Sequence, residues 1–315
     1  MIRKILLPLD GSELAERAAP VAAALAARLR AEVFLLHVLE RRAKARVHGQ
    51  RHLTDAAAAE EYLRALAARM APAAAVAWHV HVERVGDVPE SIAQHARETG
   101  ADLIALTTHG AGGLARAVFG SIAQKVLRQA ELPVLVCPRR FVAPQGPFPV
   151  RAVLVPVDID PDHRGGVELG LEMAEAFGAR LDLVGIAPRY GSLRPQRWGT
   201  SRVLPATTAV LLDLEARQLQ AELEAVAERA RQRRLTVATE LLSGDPATAL
   251  LRHARRHAPD LIVFASHARK GLEARLNQSL GARLCSSATV PLLITPVEEK
   301  ARIRHRGTEN AEKGL

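Results

Sequence analysis

The sequence predicts an α/β protein made of two copies of a doubly wound parallel sheet. Three observations support this fold class. Segments of the chain recur at a fixed distance, short apolar runs alternate with amphipathic helical patterns, and a glycine-rich stretch follows the fourth apolar run. Alternating strands and helices are typical of a parallel sheet that is covered by helices on both faces.

The repeat is clearest between residues 103–138 and 261–296, where each position of the second segment lies 158 residues after its counterpart. Matching pairs include His109 and His267, Gly113 and Gly271, Ser121 and Ser279, and Pro133 and Pro291. A period this long indicates duplicated domains rather than a solenoid, whose units span roughly 20–50 residues. We therefore expect a first domain at 1–140, a proline-rich linker at 141–150, a second domain at 151–297 and a disordered, mixed-charge tail at 298–315.

Each half predicts five strands, because short apolar runs bounded by turn residues are typical of strands buried on both faces. In the first half these are Ile5–Leu9, Val33–Val38, Val76–Val85, Leu103–Thr107 and Val134–Cys137. Helical patterns cover 12–29, 55–70, 90–99 and 114–129, and 41–53 is interpreted as a loop. In the second half the strands are expected near 151–157, 180–186, 236–242, 261–265 and 292–295, with an insertion rich in Gly, Pro and Arg at 188–205 before a helix at about 208–234.

Composition narrows the class of protein. The chain has 315 residues, 48% of them apolar, and no apolar run approaches the ~20 residues of a membrane helix. The net charge of +9 is spread along helices and aromatic residues make up only 3%, so we do not expect a nucleic-acid stacking surface. Two cysteines at non-equivalent positions and a strand pattern that begins at Ile2 predict a reduced, cytoplasmic protein without a signal peptide.

The segment that follows the fourth strand has the character of a phosphate site. It contains Gly110, Gly113 and Gly120, where the backbone can approach a ligand closely, and Ser121, whose hydroxyl can donate to a phosphate oxygen. A helix predicted to begin at Leu114 would direct its N-terminal N–H groups to the same place. Ligands of doubly wound sheets bind at the carboxyl ends of the strands where the winding reverses, which places Asp10 beside this segment.

Simpler interpretations of the same residues remain open. The glycines could be turn residues, Asp10 could cap the following helix although Ser12 is better placed, and Ser121 could be a packing residue. The segment lacks Gly-Lys-Ser/Thr and so is not a Walker A loop, and Ala115 at the third glycine's place excludes GxGxxG.

Together these residues resemble the universal stress protein family. The match lies in the G-x-x-G-x9-G-S/T signature, the strand-one Pro8-Leu-Asp10-Gly-Ser and the strand-two Leu35-Leu-His-Val38. The resemblance implies a flavodoxin-like sheet of order 3-2-1-4-5 in each half and the binding of ATP, ADP or AMP. It implies that Asp10 and the Val38 backbone hold the adenosine and that Gly110, Gly113, Gly120 and Ser121 hold the phosphates. Thr107 replaces the motif's first glycine, which weakens the match.

The second half has lost most of this signature. Ala265, Ala268 and Gln278 stand at the three glycine positions, while Asp158 and Ser279 are retained and Ile186 stands where Val38 does. A glutamine side chain at 278 would fill space that the phosphates need. We therefore expect one nucleotide per chain, in the first half, and a structural or regulatory second half.

Histidines and cysteines carry no predicted chemistry. His109 and His267 are interpreted as loop-positioning residues rather than catalytic ones. The pairs His253/His257 and His48/His52 lack a visible third metal ligand and are interpreted as solvated side chains. His79 and His81 share one strand face and remain unassigned, and neither cysteine has a partner that would activate it.

The sequence thus predicts a cytoplasmic stress-response regulatory protein that binds an adenine nucleotide in its first half. The alternative is a nucleotide-independent scaffold of the same fold. We expect no true enzyme, since no general base or carboxylate metal site is apparent, and Mg²⁺ would be held only through bound phosphates. The resemblance implies that the two fifth strands, which are short apolar edges, join the halves as an intramolecular pseudo-dimer. A homodimer through a second surface is left open, and neither the protein client nor the inducing stress is predicted.

Overall fold

The computed structural model describes residues 2–40, 46–47, 50–51, 53–83, 87–108, 121–129, 131–189, 205–266 and 280–297. The predicted glycine-rich segment after the fourth strand, most of the 188–205 insertion, the matching loop of the second half and the predicted tail lie outside these residues.

The described strands are β1 Lys4–Pro8, β2 Glu32–Glu40, β3 Arg46–Val47, β4 Gln50–Arg51, β5 Ala75–Glu83, β6 Leu103–Thr107, β7 Val134–Cys137, β8 Ala152–Val157, β9 Arg180–Ala187, β10 Val237–Ser243, β11 Leu261–Ser266 and β12 Leu292–Pro296. The helices are α1 Glu13–Glu16, α2 Ala19–Leu29, α3 Ala56–Met70, α4 Val88–Thr99, α5 Ser121–Gln129, α6 Arg164–Phe177, α7 Pro205–Gln232, α8 Pro246–His257 and α9 Leu280–Ser287. A single 3-10 turn, Pro161–His163, precedes α6. None of the described helices is long and apolar enough to cross a membrane.

Ten strands form one continuous sheet in the order β10-β9-β8-β11-β12-β7-β6-β1-β2-β5. Within each half all neighbouring strands of this sheet are parallel. The short strands β3 and β4 form a separate pair, and when they are left out, the five strands of each half lie in the order third, second, first, fourth, fifth. The two halves meet where β7 and β12 pair antiparallel, with Val136 opposite Leu292 and Val134 opposite Ile294. The outer edges of the sheet are therefore β5 and β10, the third strand of each half.

Alternating strand residues feed two cores on opposite faces of the sheet. One core includes Ile5 and Leu7 of β1 and is covered by α2, α3, α6 and α7. The other includes Leu6 of β1 and lies under α4, α5, α8 and α9. Because both faces are covered, the strands carry the unbroken apolar runs from which they were predicted.

Polar residues set where the helices begin. Asp55, Asp87 and Asp245 each accept a hydrogen bond from a backbone N–H in the first turn of the helix that follows. Such capping satisfies a backbone donor that has no partner inside the helix. The C-terminal ends of α4 and α6 fall at Gly100 and Gly178, whose left-handed φ angles of 64° and 63° suit glycine.

Two predicted elements were wrong in detail. The continuous helix at 12–29 is divided into α1 and α2, because Pro20 lies in the first turn of α2, where its missing N–H costs nothing. The segment 41–53, interpreted as a loop, contains the short antiparallel pair of β3 and β4.

The linker at 141–150 is packed rather than extended into solvent. Phe141, Phe148 and Val150 are buried in the core that lies beneath α2 and α6, and the two phenylalanine rings meet edge to face at 5.7 Å. Arg17 of the first half donates to the carbonyls of Arg139 and Phe141, which ties the start of the linker to the end of α1. The two halves thus share a core as well as a sheet.

Candidate functional site

The carboxyl ends of three neighbouring strands define the candidate site. Strand β1 pairs with β2 on one side and with β6 on the other. The chain moves from β1 to β2 in one direction and later returns to β6 on the opposite side, so the winding reverses between β1 and β6. Doubly wound sheets bind ligands at the carboxyl end of such a switch point. Asp10 and Thr108 reach this edge because they lie just beyond the ends of β1 and β6, and Val38 of β2 lies two residues past Leu36, the partner of the last residue of β1.

Asp10 lies in a tight turn that directly follows β1. Its Oδ1 accepts hydrogen bonds from the Ser12 backbone N–H at 2.9 Å and from the Ser12 hydroxyl at 2.6 Å. Ser12 Oγ in turn accepts from the Ala15 N–H at 3.1 Å and caps α1. The helix cap is therefore Ser12, as predicted, and Asp10 orders the turn. Both hydrogen bonds from Ser12 go to Oδ1, and Asp10 is partly exposed at the sheet edge.

Gly11 makes this turn possible. Its φ of +83° is in the left-handed region, and a Cβ there would lie 2.7 Å from Cδ1 of Leu53. Leu53 therefore packs directly over the turn, and any larger residue at position 11 would displace one or the other.

His37 is a positioning residue that the sequence did not single out, although it lies inside the quoted strand-two motif. Its side chain is buried, with Nδ1 at 2.7 Å from the Leu9 carbonyl oxygen and Nε2 at 3.1 Å from the Leu53 carbonyl oxygen. The ring thus links the end of β1 to the chain segment that enters α3. The signal in the sequence that could have identified His37 is a single histidine within an otherwise apolar, buried strand.

Val38 is placed to act through its backbone. The Leu36 carbonyl accepts from the Leu9 N–H, which shows that the peptide groups of Leu36 point toward β1. In a parallel strand, residues two apart point the same way, so Val38 directs its N–H and C=O past the end of β1. Its side chain is buried in the core under α4 and α5. A ligand at this edge would meet the peptide groups of Val38 rather than its side chain.

Thr107 is the last residue of β6, and Thr108 follows it directly. The Thr108 N–H donates to the Cys137 carbonyl at 3.0 Å, and the Thr108 hydroxyl accepts from the Arg139 N–H at 3.0 Å. Among the described residues other than glycine, positive φ occurs only at Arg30, Arg234 and Ala258. Thr107 therefore has ordinary strand geometry, so the replacement of a glycine there introduces no backbone strain.

The predicted phosphate-binding residues are only partly described. Gly110, Gly113 and Gly120 lie outside the described residues, and Ser121 begins α5. Helix α5 packs against α4 on the face of the sheet that buries the Val38 side chain. The described chain stops at Thr108 on this edge and resumes at Ser121, the first residue of α5.

The equivalent edge of the second half differs. Asp158 follows β8 as Asp10 follows β1, but its Oδ2 lies 2.5 Å from Nδ1 of His163. Its Oδ1 accepts from the Asp160 N–H at 2.9 Å. This hydrogen bond to Asp158 raises the pKa of His163. Both oxygens of this carboxylate are engaged within the protein. Ala268, Gly271, Gln278 and Ser279 lie outside the described residues.

The interpretation of His253 and His257 as solvated side chains was wrong for His253. That ring is only 6% exposed, and Glu240 of β10 lies 3.1 Å from its Nδ1. His79 and His81, which the sequence left unassigned, lie close to a third histidine, His95 of α4. His48 and His52 lie outside the described residues.

Both cysteines are buried and neither forms a disulfide. Burial raises the pKa of the Cys137 and Cys285 thiols, which keeps them protonated and unreactive.

Comparison with known proteins agrees with this architecture. The model of the universal stress protein family matches residues 1–138 and again residues 149–296. The chain is 32% identical to Universal stress protein MJ0531 of Methanocaldococcus jannaschii over 139 residues, 43% of this chain and 82% of that protein. It is 30% identical to Universal stress protein YxiE of Bacillus subtilis over 148 residues, 43% of this chain and 99% of that protein.

A solved universal stress protein from Archaeoglobus fulgidus has the same fold along nearly the whole chain. Its TM-score is 0.65 at 17% identity, with 94% of this chain and 97% of that one covered. Because the family model matches twice and spans most of the residues, the chain belongs to the universal stress protein family and carries two of its domains in tandem.

Proposed function

We propose that this protein is a stress-response regulator that binds one adenine nucleotide, in its first half. The observation that supports the proposal is the position of Asp10, the Val38 peptide groups and Thr108, which precedes the glycine-rich segment, at the switch point between β1 and β6. Asp10 and Val38 would hold the adenosine, and Gly110, Gly113, Gly120 and Ser121 would hold the phosphates.

The chemistry of the edge supports this ligand class. The carboxylate of Asp10 lies beside the Val38 peptide groups, which are directed past the end of β1. This combination of donors and acceptors suits the hydroxyls and ring nitrogens of a nucleoside. A glycine-rich turn that leads into a helix suits phosphate, because backbone N–H groups can approach its oxygens without a side chain intervening. The segment 109–120 contains Arg116 but no lysine, so a Mg²⁺ ion carried by the phosphates would share in neutralising them.

The second half argues for one nucleotide per chain. Asp158 is held by His163, and Gln278 replaces the glycine that corresponds to Gly120. We propose that this half is structural or regulatory. The pairing of β7 with β12 supports the interpretation of the chain as an intramolecular pseudo-dimer, with the first domain near 1–140 and the second near 151–297.

The first test is to denature the purified, untreated protein and to identify any adenine nucleotide that it releases. Calorimetric titration of the nucleotide-free protein with MgATP should then give one site per chain. Gly120→Gln should abolish binding, because it copies the second half's residue into the first. Asp10→Ala should weaken binding by about 1–3 kcal/mol if a hydrogen bond to a charged group is lost.

Gly146→Gln is the matched control for the glycine substitution. A Cβ at Gly146 would meet nothing within 4 Å, so the same change in the linker should leave MgATP binding intact. Two equivalent sites, or full binding by Gly120→Gln, would show that the pocket is elsewhere. Absence of binding to any adenine nucleotide would favour the nucleotide-independent scaffold.

A further inference from the structure

The outer edge strand of each half faces a histidine of the helix that follows it. In the first half, His79 and His81 of β5 lie near His95 of α4, and in the second half Glu240 of β10 lies near His253 and His257 of α8. In each group the candidate ligand atoms all lie within 4.8 Å of one another. The first group adjoins the candidate nucleotide edge, because His81 pairs in register with Val38, whereas the second group lies in the other half of the sheet.

The two groups occupy corresponding places in the repeat. His79 pairs in register with Leu36 of β2, and Glu240 pairs in register with Val184 of β9. Leu36 lies four residues after Glu32, the partner of the first residue of β1, and Val184 lies four residues after Arg180, the partner of the first residue of β8. His95 and His253 each lie eight residues after the aspartate that caps their helix. The same two positions, one on the edge strand and one on the helix, therefore carry a metal-binding side chain in both halves.

In the first group the ring of His95 is already oriented. Its Nδ1 lies 2.9 Å from the Ser91 carbonyl oxygen, a hydrogen bond that leaves Nε2 with a lone pair. Histidines that bind metals commonly donate their other ring nitrogen in this way. The His81 ring lies at 4.5 Å and the His79 ring at 5.7 Å from it, measured between centroids.

In the second group a buried histidine has unsatisfied nitrogens. His253 is 6% exposed, and within the described residues neither of its ring nitrogens makes a hydrogen bond. Nδ1 is 3.1 Å from Glu240 Oε2, a contact that is close but not aligned as a hydrogen bond. The Glu240 carboxylate also lies 3.7 Å from Nε2 of His257, whose ring stacks on His253 at 4.2 Å. A buried polar atom without a hydrogen bond is costly, and a metal ion held by all three side chains would give one of the two His253 nitrogens a partner.

We propose that the protein binds two divalent transition-metal ions of the Zn²⁺ class, one through His79, His81 and His95 and one through Glu240, His253 and His257. Imidazole and carboxylate ligands in sets of three suit Zn²⁺, which takes a fourth ligand from water. Each ion would fasten an exposed edge strand to the helix that covers it, which protects an edge that would otherwise be free to pair. The proposal does not depend on nucleotide binding.

The test uses the untagged full chain, stripped of metal by a chelator and free of nucleotide. Titration with ZnCl₂, followed by calorimetry, should give two ions per chain. His79→Ala and His257→Ala each remove an exposed ligand and should reduce this number to one, and the double variant should bind none. Substituting the exposed members avoids a cavity at buried His95 or His253, and unchanged unfolding of the metal-free variants would show that the fold is intact.

Co²⁺ supplies a second, spectroscopic measurement. Its visible d–d absorption should appear in the wild type and fall stepwise in the single and double variants. His163→Gln, which removes a histidine outside both groups, should keep both ions. Absence of Zn²⁺ binding by the wild type, or two ions retained by the double variant, would overturn the proposal. A single ion that is lost with only one of the two substitutions would overturn the site at the other group.

Discussion

At the scale of single residues, the two halves differ most at one carboxylate. Asp10 and Asp158 follow the first strand of their halves and both bond to a backbone N–H two residues on. Asp10 takes its second hydrogen bond from a serine, whereas Asp158 is paired with His163. The hydrogen bond to Asp158 raises the pKa of His163, which favours the positively charged ring beside this carboxylate. The two halves therefore differ at a residue outside the glycine motif as well as within it.

The Asp158–His163 pair should make stability depend on pH. Because the pKa of His163 is raised in the folded state, the pair stabilises the fold fully below the unfolded value of about 6.5. This contribution is lost as the pH rises through the folded pKa. His163→Gln should therefore lower the free energy of unfolding by up to about 1 kcal/mol at pH 6 and by less at pH 8. Urea unfolding at the two pH values measures it, and an equal effect at both would contradict the pairing.

At the scale of elements, the sequence located most strands and helices but not their finer breaks. Strand β7 was predicted with its observed bounds, because Pro133 and Pro138 delimit a short apolar run. The break between α1 and α2 was missed, since the apolar period continues across it and only Pro20 marks the new start. The β3–β4 pair was missed because two-residue strands leave no period to read.

The helix caps Asp87 and Asp245 occupy the same place in the two halves and allow a matched comparison. Arg283 donates to Asp245 at 2.6 Å and to the Thr248 hydroxyl at 3.0 Å, and in the other half Lys125 donates to Asp87 at 2.5 Å. Asp245→Ala should lower the free energy of unfolding by about 1–2 kcal/mol, and Asp87→Ala by about 1 kcal/mol. Urea denaturation at pH 7 measures both, and a larger loss for Asp87→Ala would contradict this ranking.

The same cap should weaken in acid. The Arg283 guanidinium beside Asp245 holds the pKa of that carboxyl well below its usual range. A depressed folded pKa stabilises the fold above the unfolded value of about 3.9, and the stabilisation is lost as the pH falls below it. The difference between the wild type and Asp245→Ala should therefore be constant from pH 7 to 5 and shrink below pH 4.

At the scale of the whole molecule, the pairing of the two fifth strands makes one sheet from two halves. Pro291 directs its carbonyl to β11 and Pro133 directs its carbonyl to β6. The alternate residues of β12 and β7, among them Leu292 and Val136, therefore direct their peptide groups to each other. All four residues of β7 are buried in this arrangement. Without its partner, β7 would be an exposed apolar edge.

A fragment of residues 1–140 should therefore form a homodimer through β7. A fragment of this size corresponds to the whole of one relative, since 99% of YxiE matches 43% of this chain. Sedimentation or light scattering in a reducing buffer should show a dimer of the fragment at micromolar concentration. Val136→Lys places a charge at the edge and should give a monomer. A monomeric wild-type fragment would show that β7 does not need a partner.

Taken by itself, the sequence determined the α/β class, the duplication and the strands, while its resemblance to the universal stress protein family implied Asp10 and Val38 as candidate ligands. The class, the duplication and the strands follow from local pattern, because burial on both faces of a parallel sheet and helix amphipathicity leave a period in the chain. Only the tertiary structure brought Glu240 to His253, His95 to His79 and His81, and His163 to Asp158. Glu240 lies 13 residues from His253 along the chain, and His79 lies 16 residues from His95. The distance between such side chains depends on how a helix packs against an edge strand. This packing cannot be inferred from the periodicity of nearby residues in the sequence.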